Sequence, residues 1–362
     1  MTVLVVGPVP PPHGGVAVFV QRLVRSLARR GLEVRHLNPL AWDAEGGRGR
    51  VKKALALVPM FFNSASVVHD NVGPYFWQSL SGRCLYAAGL VLSRKPVVVN
   101  MHQGRFPEIY ARMGPAARWL IRAILRRLRL TIADNTQLRD FLVGEGVPPE
   151  RVLVLASFLP FDDAADAALP ADLEAFLATH SPVVAVPGYT YSPIYNFDAV
   201  LRIAARLRDR FPNLGVLLVV SKFVLDPAHK EYVLGLLRDL GLQPSVALVS
   251  DIPEVIPLFR RSDVLLRSTS SDGSSLSVLE ALYVGTPTVA TDCAERPPGT
   301  ILFRTGDWEA AYETLAALLA DPPPRTPNPW VKQEAEANLD AIVQAYRAAV
   351  GPARDAILRS PQ

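Results

Sequence analysis

The stretch SDGSSLSVLEAL (residues 271–282), followed by Gly285-Thr286-Pro287, says more about the fold than any other part of the chain. Its small residues predict a turn, and its apolar residues predict a helix over residues 276–283, directly after the turn. The N–H groups and positive dipole end at the start of such a helix favour an anionic ligand such as a phosphate. Asp272 and Glu280 flank the turn and can accept hydrogen bonds from sugar hydroxyls. The stretch therefore predicts a site for a nucleotide sugar.

Glu280 also has a purely structural interpretation. Ser277 and Glu280 have the spacing of a capping box, in which the serine caps the helix and the glutamate reaches back to its N–H. The acid at position 272, the turn and the following GTPTVATD segment (residues 285–292) together favour the ligand role over the capping role.

The stretch resembles the donor-site signature of retaining glycosyltransferases with the GT-B architecture, in particular glycosyltransferase family 4. That signature usually has two glutamates separated by seven residues, a glycine-rich turn between them, and LEA and G-x-P after it. Asp272 replaces the first glutamate, whereas Glu280, Ala281, Gly285 and Pro287 match. The later segment ERPPG (residues 295–299) resembles a subset found in bacterial surface-polysaccharide synthesis.

Length and composition are consistent with a two-domain globular protein. The chain has 362 residues, of which 49% are hydrophobic, enough for two full cores. No apolar run approaches the ~20 residues of a membrane span, and we expect no signal peptide. Cys84 and Cys293 lack metal or redox spacing, so we expect both to be core thiols of a cytoplasmic protein.

Strand and helix patterns alternate along two parts of the chain, which predicts two α/β domains with parallel sheets. We place the first domain at residues 1–165 and the second at residues 166–330, with a linker near 157–170. The last helix, near residues 331–350, resembles the one that crosses back onto the first domain in GT-B proteins. Two doubly wound, Rossmann-like domains would face a central ligand cleft.

A glycine pair lies between the first strand and the first helix. Gly14 and Gly15 permit close backbone approach there, although such a pair is equally consistent with a simple turn. The resemblance implies that both glycines contact the donor and that His13 lies on the acceptor side.

Histidines follow two strands of the first domain. His102 comes after the strand at 97–101, where the family carries a histidine that approaches the donor sugar, so the resemblance implies a catalytic role. His69, with Asn71 nearby, holds a similar place at the end of the previous strand and is assigned to the acceptor side. A lone histidine is more often structural.

One departure from the family concerns the diphosphate. Family members usually carry an Arg and a Lys on the loop after the first strand of the second domain, where this chain has Tyr189 and Tyr195. Arg267 and Lys222, at other strand ends, are candidate replacements, although Lys222 is equally consistent with a solvated surface residue. The other predicted donor contacts are Tyr189 and the segment Gly273, Ser274, Ser275 and Leu276. Asp272 is predicted to be catalytic beside His102, and Glu280 to bind the ribose.

Charge is unevenly distributed, with a net +12 over residues 1–155 and −8 over residues 156–362. The stretches RGRVKK (48–53) and RWLIRAILRRLR (118–129) are basic, and the second predicts an amphipathic helix. Peripheral contact with an anionic membrane and an ordinary solvated helix face are equal alternatives here. No nucleic-acid-binding motif is recognisable, so nucleic acid is not expected as a partner.

These features predict a metal-independent, retaining hexosyltransferase without a cofactor. Its donor would be a nucleotide sugar such as a UDP- or GDP-sugar. Its acceptor would be a saccharide or lipid-linked molecule in cell-surface polysaccharide or glycoconjugate synthesis. We expect it in the cytoplasm, at the inner face of the cell membrane. The alternatives are a nucleotide-sugar epimerase of the same fold and a non-catalytic partner subunit of a polysaccharide assembly complex, which the missing Arg/Lys pair favours.

Overall fold

The computed structural model describes residues 1–10, 14–38, 57–72, 77, 79–102, 106–160, 168–220, 226–250, 252, 254–273 and 275–351. Contacts divide the chain into two compact units. The first comprises Met1–Val9, Val16–Phe161 and Ala335–Gln362, and the second comprises Pro10–Gly15 and Asp162–Glu334. The boundary near residue 165 stays a prediction, because residues 161–167 lie outside the described part.

The first unit contains a parallel sheet with the strand order β2-β1-β3-β4-β5-β6. Its strands are β1 (Thr2–Val6), β2 (Glu33–Leu37), β3 (Val67–Asp70), β4 (Val97–Met101), β5 (Leu130–Ala133) and β6 (Val152–Val154). The helices between them are α1 (Gly15–Arg29), α2 (Leu80–Ser93), α3 (Phe106–Ala111), α4 (Pro115–Arg127) and α5 (Thr136–Gly144). Strands β3, β4 and β5 are buried on both faces, as expected for a covered parallel sheet.

The second unit repeats this plan with the strand order β12-β11-β10-β7-β8-β9. Its strands are β7 (Val183–Pro187), β8 (Gly215–Val219), β9 (Val246–Val249), β10 (Val264–Arg267), β11 (Thr288–Thr291) and β12 (Ile301–Phe303). Its helices are α6 (Ala171–Thr179), α7 (Phe197–Arg210), α8 (Pro227–Asp239), α9 (Ile256–Arg261), α10 (Leu276–Tyr283) and α11 (Trp308–Ala320). The final helix, α12, spans Pro329–Val350.

The first sheet separates two cores, because successive strand residues point to opposite faces. Val3 and Val5 of β1 pack with α1 and with Leu339, Ile342 and Tyr346 of α12. Leu4 and Val6 pack on the other face, with α2, α3 and α4.

The two six-stranded parallel sheets confirm the predicted fold class. The helix predicted at residues 276–283 has those bounds, and the basic helix predicted at 118–129 lies at Pro115–Arg127. Strands β6 and β12 were not predicted, because they are three-residue edge strands and too short to show a period. The prediction that Cys84 is a core thiol is wrong, because Cys84 is exposed on α2, whereas Cys293 is partly buried. Each helix in the described part of the chain is too short or too polar to cross a bilayer.

Candidate functional site

The second sheet changes direction between β7 and β10, because β8 and β9 lie on one side of β7 and β10, β11 and β12 on the other. Ligands of open α/β sheets bind at such switch points, beyond the carboxyl ends of the strands. Arg267, the last residue of β10, spans this point. Its Nη1 donates a 2.9 Å hydrogen bond to the carbonyl oxygen of Pro187, the last residue of β7. A cation is therefore fixed where the topology predicts a ligand.

Asp272 lies between two arginines, and we call Arg267, Asp272 and Arg296 the arginine–aspartate cluster. Arg267 donates two parallel hydrogen bonds to the carboxylate, from Nε to Oδ2 at 2.8 Å and from Nη2 to Oδ1 at 2.9 Å. Arg296 donates from Nη1 to Oδ2 at 2.9 Å. The side chains of Arg267 and Asp272 are each 11% exposed, and that of Arg296 is 1% exposed. Two guanidinium groups on one carboxylate leave one excess positive charge.

The charges of this cluster keep one another ionised. Burial alone would raise the pKa of Asp272, but the neighbouring Arg267 and then Arg296 lower it to about 2. Burial likewise opposes the charge of Arg267, but Asp272 raises the pKa of the guanidinium above its usual value. Asp272 is therefore a carboxylate at neutral pH, and the net positive charge persists.

Arg296 is held in place by residues at the end of β11. Its Nε donates to the carbonyl oxygen of Thr291 at 3.1 Å, and its Nη2 lies 3.3 Å from Thr269 Oγ1 and 3.5 Å from Cys293 Sγ. Sequence analysis did not single out Arg296, although the ERPPG segment contains it. The sequence signal for Arg296 was its place shortly after β11, the strand that follows α10.

Helix α10 begins shortly after Asp272 and Gly273, as predicted, but with a different cap. Ser275 is the N-cap residue and the helix begins at Leu276. Ser277 therefore lies inside the helix, and the interpretation that Ser277 caps it is wrong. The two serine hydroxyl oxygens lie 3.2 Å apart. Glu280, on the next turn, is 3% exposed.

Gly273 leaves space beside the start of α10. Its N–H donates to Asp272 Oδ1 at 3.1 Å. Apart from its chain neighbours, no described residue has a heavy atom within 4 Å of the position that a Cβ would take. With the free N–H groups that begin any helix, this open backbone favours an anion next to the arginine–aspartate cluster.

The two tyrosines of the loop after β7 differ in their exposure and contacts. Tyr195 is buried, stacks on Phe197 with ring centres 5.8 Å apart, and lies 5.4 Å from the Arg267 Cζ, which suits a cation–π contact. Tyr189 is 39% exposed. Gly14, which clusters with the second unit, lies so near that a Cβ there would come within 2.7 Å of the Tyr189 ring.

Three of the predicted site residues, His13, Lys222 and Ser274, lie outside the described part of the chain, and their roles stay predictions. Within the described residues, no group of three or more His, Cys, Asp or Glu side chains is arranged to hold a metal ion.

His102 follows β4 directly, as predicted, and belongs to a buried polar network in the first unit. Its Nδ1 lies 2.9 Å from Ser157 Oγ, and its Nε2 lies 3.0 Å from Asn71 Oδ1. Ser157 in turn donates to Asp134 Oδ1 at 2.5 Å. Burial lowers the pKa of His102 to about 3. It raises the pKa of Asp134 to about 7, against the opposing hydrogen bond from Ser157. His102 is therefore neutral at physiological pH.

His69 differs from its predicted position. It lies within β3 rather than at an accessible strand end, and its side chain is fully buried. Its Nδ1 hydrogen-bonds the hydroxyl of Tyr346 in α12, and burial lowers its pKa to about 3. Asn71 is also buried and donates to the carbonyl oxygen of Val6 at 3.2 Å. In this structure His69 has a structural position, and an acceptor contact would require it to become accessible.

Part of the second unit is similar to a known family. Residues 181–321 match the family model described as glycosyl transferases group 1. D-inositol 3-phosphate glycosyltransferase of Rhodococcus opacus is 29% identical over 284 residues, which cover 69% of this chain and 59% of that protein. The chain thus spans about three fifths of the length of this curated relative.

Solved structures share the fold at low identity. HepE of Anabaena in complex with UDP-glucose has a TM-score of 0.65 at 15% identity, with 96% of this chain and 98% of that chain covered. Sucrose-phosphate synthase of Thermosynechococcus elongatus has a TM-score of 0.68 at 18% identity, with the same coverage. The chain therefore has the GT-B fold, and residues 181–321 of its second unit are similar to the glycosyl transferases group 1 model.

Proposed function

We propose that this protein is a glycosyltransferase that takes a sugar from a nucleotide-sugar donor, of which a UDP-sugar is the first candidate. The observation that carries the proposal is the arginine–aspartate cluster, with its excess positive charge, at the switch point of the second sheet and beside the start of α10. The matching family segment and the UDP-glucose bound by HepE support it.

The donor diphosphate would bind between Arg267 and the N–H groups at the start of α10. These groups are preorganised, because Tyr195, Pro187 and Asp272 fix the guanidinium before any ligand arrives. Fixed donors and cations of this kind stabilise a leaving diphosphate without reorganisation. We therefore propose a metal-independent reaction, with Glu280 accepting from the ribose hydroxyls.

The carboxylate of Asp272 already uses its hydrogen-bond acceptor capacity within the protein. Arg267, Arg296, Thr269 and its own neighbour Gly273 supply five donors to the two carboxylate oxygens, and a carboxylate has about four lone-pair sites. A contact with a donor-sugar hydroxyl would require one of these donors to leave. We propose that Asp272 and His102 lie on the reacting face. We also propose that Asp272 positions Arg267.

Asp272→Asn separates these roles. If Asp272 contacts the sugar, the variant should bind UDP like wild type and lose affinity only for the UDP-sugar. If Asp272 positions Arg267, the affinities for UDP and for the UDP-sugar should change together. Isothermal titration with both ligands decides between them.

The finer parts of the proposal concern the stereochemistry and the acceptor. We propose retention of the anomeric configuration, transfer to a saccharide or lipid-linked acceptor at the inner face of the membrane, and a place in cell-surface polysaccharide or glycoconjugate synthesis. His102, Gly14 and Gly15 would line the reacting face. The relative from Rhodococcus acts on D-inositol 3-phosphate, as its name states, so phosphorylated polyols belong in the acceptor panel.

Calorimetry with UDP- and GDP-sugars, followed by product analysis, tests the function. Glu280→Gln should weaken nucleotide affinity by about 1–3 kcal/mol, since a ribose hydroxyl loses a charged acceptor. Glu309→Gln, the same change at an exposed ion pair with Arg206, should leave it unchanged. Binding with an epimerised sugar and no acceptor would favour the epimerase.

The non-catalytic partner subunit remains a second candidate, because the loop of Tyr189 and Tyr195 lacks the expected Arg/Lys pair. Absence of binding by any nucleotide or nucleotide sugar would favour it. Binding of UDP-sugars with acceptor-dependent release of UDP would exclude it.

A further inference from the structure

The outward face of α2 is apolar and uncharged. At 100° per residue, its exposed positions fall in an arc about 140° wide. The residues in this arc are Leu80, Ser81, Cys84, Leu85, Ala88, Val91 and Leu92, with Leu80 64% and Leu92 70% exposed. The charged residue of the helix, Arg83, is buried and donates to the carbonyl oxygen of Trp77 at 2.8 Å. A helix face left in water normally carries charges, so a contiguous apolar face indicates an interaction surface.

Neighbouring segments extend this face. The helical residues 57–61 pack beside α2, where the absence of a side chain at Gly89 admits the ring of Phe61. The next residue, Phe62, is 56% exposed. Trp119 of α4 is 68% exposed, and α4 packs against α2. All three segments bury their inner side chains in one core on the same side of the first sheet.

The charges around these helices are positive. Residues 79–102 and 112–133 include no Asp or Glu. Arg126 and Arg127 are exposed in the last turn of α4, and Arg94 is exposed at the end of α2. Arg126 lies seven residues, or two turns, after Trp119 and therefore on the same side of α4.

Two other arginines of this region are already engaged within the protein. Arg122 pairs with Glu145 at 2.6 Å, and Arg129 donates to the carbonyl oxygen of Ala348 at 3.3 Å. Arg94, Arg126 and Arg127 are exposed at the ends of the two helices, although the Nε of Arg126 also donates to the carbonyl oxygen of Gly146 at 3.3 Å. Arg112, shortly before α4, is exposed as well.

We propose that this surface docks on an anionic lipid membrane. The exposed face of α2, with Phe62, enters the interfacial region of the bilayer. Trp119 lies at the headgroup level, where its amphipathic ring is favoured. Arg94, Arg126 and Arg127 contact lipid phosphates, which supply the charge that the face lacks. The reason for such docking rests on the proposed lipid-linked acceptor. The exposed side chains that form the surface do not depend on that proposal.

Charge complementarity favours a membrane over a second copy of the chain. A symmetric contact between two copies would bring the same patch together from both sides. The arginines of each copy would then meet no acid from α2 or α4 of the other. An anionic bilayer offers an apolar layer bounded by negative charge, which matches an apolar face bounded by arginines.

Flotation with lipid vesicles tests the proposal. Wild type should float with vesicles of 70% phosphatidylcholine and 30% phosphatidylglycerol, and more weakly with pure phosphatidylcholine or at high salt. The double variant Leu85→Gln/Leu92→Gln should partition at least ~10-fold more weakly, because two leucine side chains no longer gain from leaving water. The matched control is Leu248→Gln/Leu302→Gln, which changes two exposed leucines of the second unit and should float like wild type.

A second variant tests the charges. Arg126→Gln/Arg127→Gln should remove the preference for anionic vesicles, whereas Arg206→Gln/Arg208→Gln in the second unit should not. All variants should keep the UDP affinity and melting temperature of wild type, which separates loss of docking from misfolding. If no nucleotide binds but the vesicle results hold, the proposed function fails and the docking surface stands.

Three results would overturn the proposal. The first is wild-type protein that ignores anionic vesicles. The second is equal loss of flotation in the Leu248/Leu302 control. The third is a stable dimer in sedimentation that Leu85→Gln/Leu92→Gln dissociates without changing flotation, which would assign the face to a second copy.

Discussion

The carboxyl edges of the two sheets both hold buried titratable groups, but they control charge in opposite ways. In the first unit, burial outweighs the partners: the pKa of His102 is lowered to about 3 and that of Asp134 raised to about 7, with His102 Nδ1 3.9 Å from the carboxylate. In the second unit the partners outweigh burial, and the pKa of Asp272 is lowered to about 2. The difference is direct contact with opposite charge, since two arginines donate to Asp272 at 2.8–2.9 Å.

Each of the two edges suits a different part of the proposed substrates. An edge with fixed, paired arginines suits the diphosphate of a donor. An edge with a neutral imidazole and hydroxyl groups suits the uncharged hydroxyls of a sugar.

Removing the charge of Arg267 should have the largest effect. Arg267→Gln should lower turnover by about 10²–10³-fold, the scale of losing one preorganised electrostatic contact. UDP affinity should fall less, because the start of α10 still binds the ground state. Steady-state kinetics and calorimetry measure both quantities. Arg206→Gln, at an exposed ion pair of the same unit, is the control, and near-wild-type turnover in Arg267→Gln would remove this arginine from the mechanism.

Acidification should destabilise the first unit before the second. His69 and His102 have pKa values near 3 when folded and about 6.5 when unfolded. Unfolding therefore takes up two protons between about pH 4 and 6, and stability falls as the pH falls. Asp134 has the opposite effect. Its folded pKa of about 7 lies above its unfolded value, so unfolding releases one proton in this pH range. The net loss from these groups is about 1.4 kcal/mol per pH unit.

Amide exchange at pH 4, 5 and 6 measures this loss, in β3 and β4 for the first unit and in β10 for the second. Asp134→Asn should double the slope to about 2.7 kcal/mol per pH unit by removing the opposing proton. The exchange in β10 should not share the slope, because Asp272 takes up its proton only below about pH 4. An equal slope in both units would contradict the contrast.

Tyr346→Phe should reveal a structural role for His69. The change removes the hydroxyl that pairs with His69 Nδ1, and the His69 Nε2 has no hydrogen-bond partner among the described residues. An imidazole nitrogen left unpaired in a core costs about 1–3 kcal/mol. Urea denaturation should show that loss, with UDP affinity unchanged. Tyr232→Phe, at an exposed tyrosine, should show none, and a loss of turnover without loss of stability would argue for a functional His69.

The smallest effect concerns the start of α10. Ser277→Ala should change the free energy of unfolding by less than about 0.5 kcal/mol, because Ser277 lies inside the helix and alanine is a good helix former. Asn135→Ala should cost about 1 kcal/mol, because Asn135 caps α5 through the N–H of Leu138. Similar losses in both variants would restore the capping role of Ser277.

Local sequence predicted the elements well where one pattern sufficed. Helix α10 and strand β4 have the predicted bounds, because apolar period and turn residues act within a few positions. The predicted placement of Arg267 at a strand end is confirmed, as is that of His102 directly after β4.

Pairings between distant segments were not predictable in this way. Arg296 meets Asp272 across 24 residues, and Tyr346 meets His69 across 277. No short-range pattern records which side chain fills a given space in the core. His69 was therefore predicted at the end of its strand, and Arg296 was not predicted as a site residue.

Apolar period and residue type were enough to predict three features: the parallel α/β architecture, the turn and helix at residues 271–283, and the acidic and basic residues at strand ends. The tertiary structure alone decided which of those groups stay charged and which helix face remains in water. An apolar helix such as α2 has the sequence of a buried one. Exposure depends on what the rest of the chain places over it, and ionisation depends on whether folding brings an opposite charge within hydrogen-bonding distance.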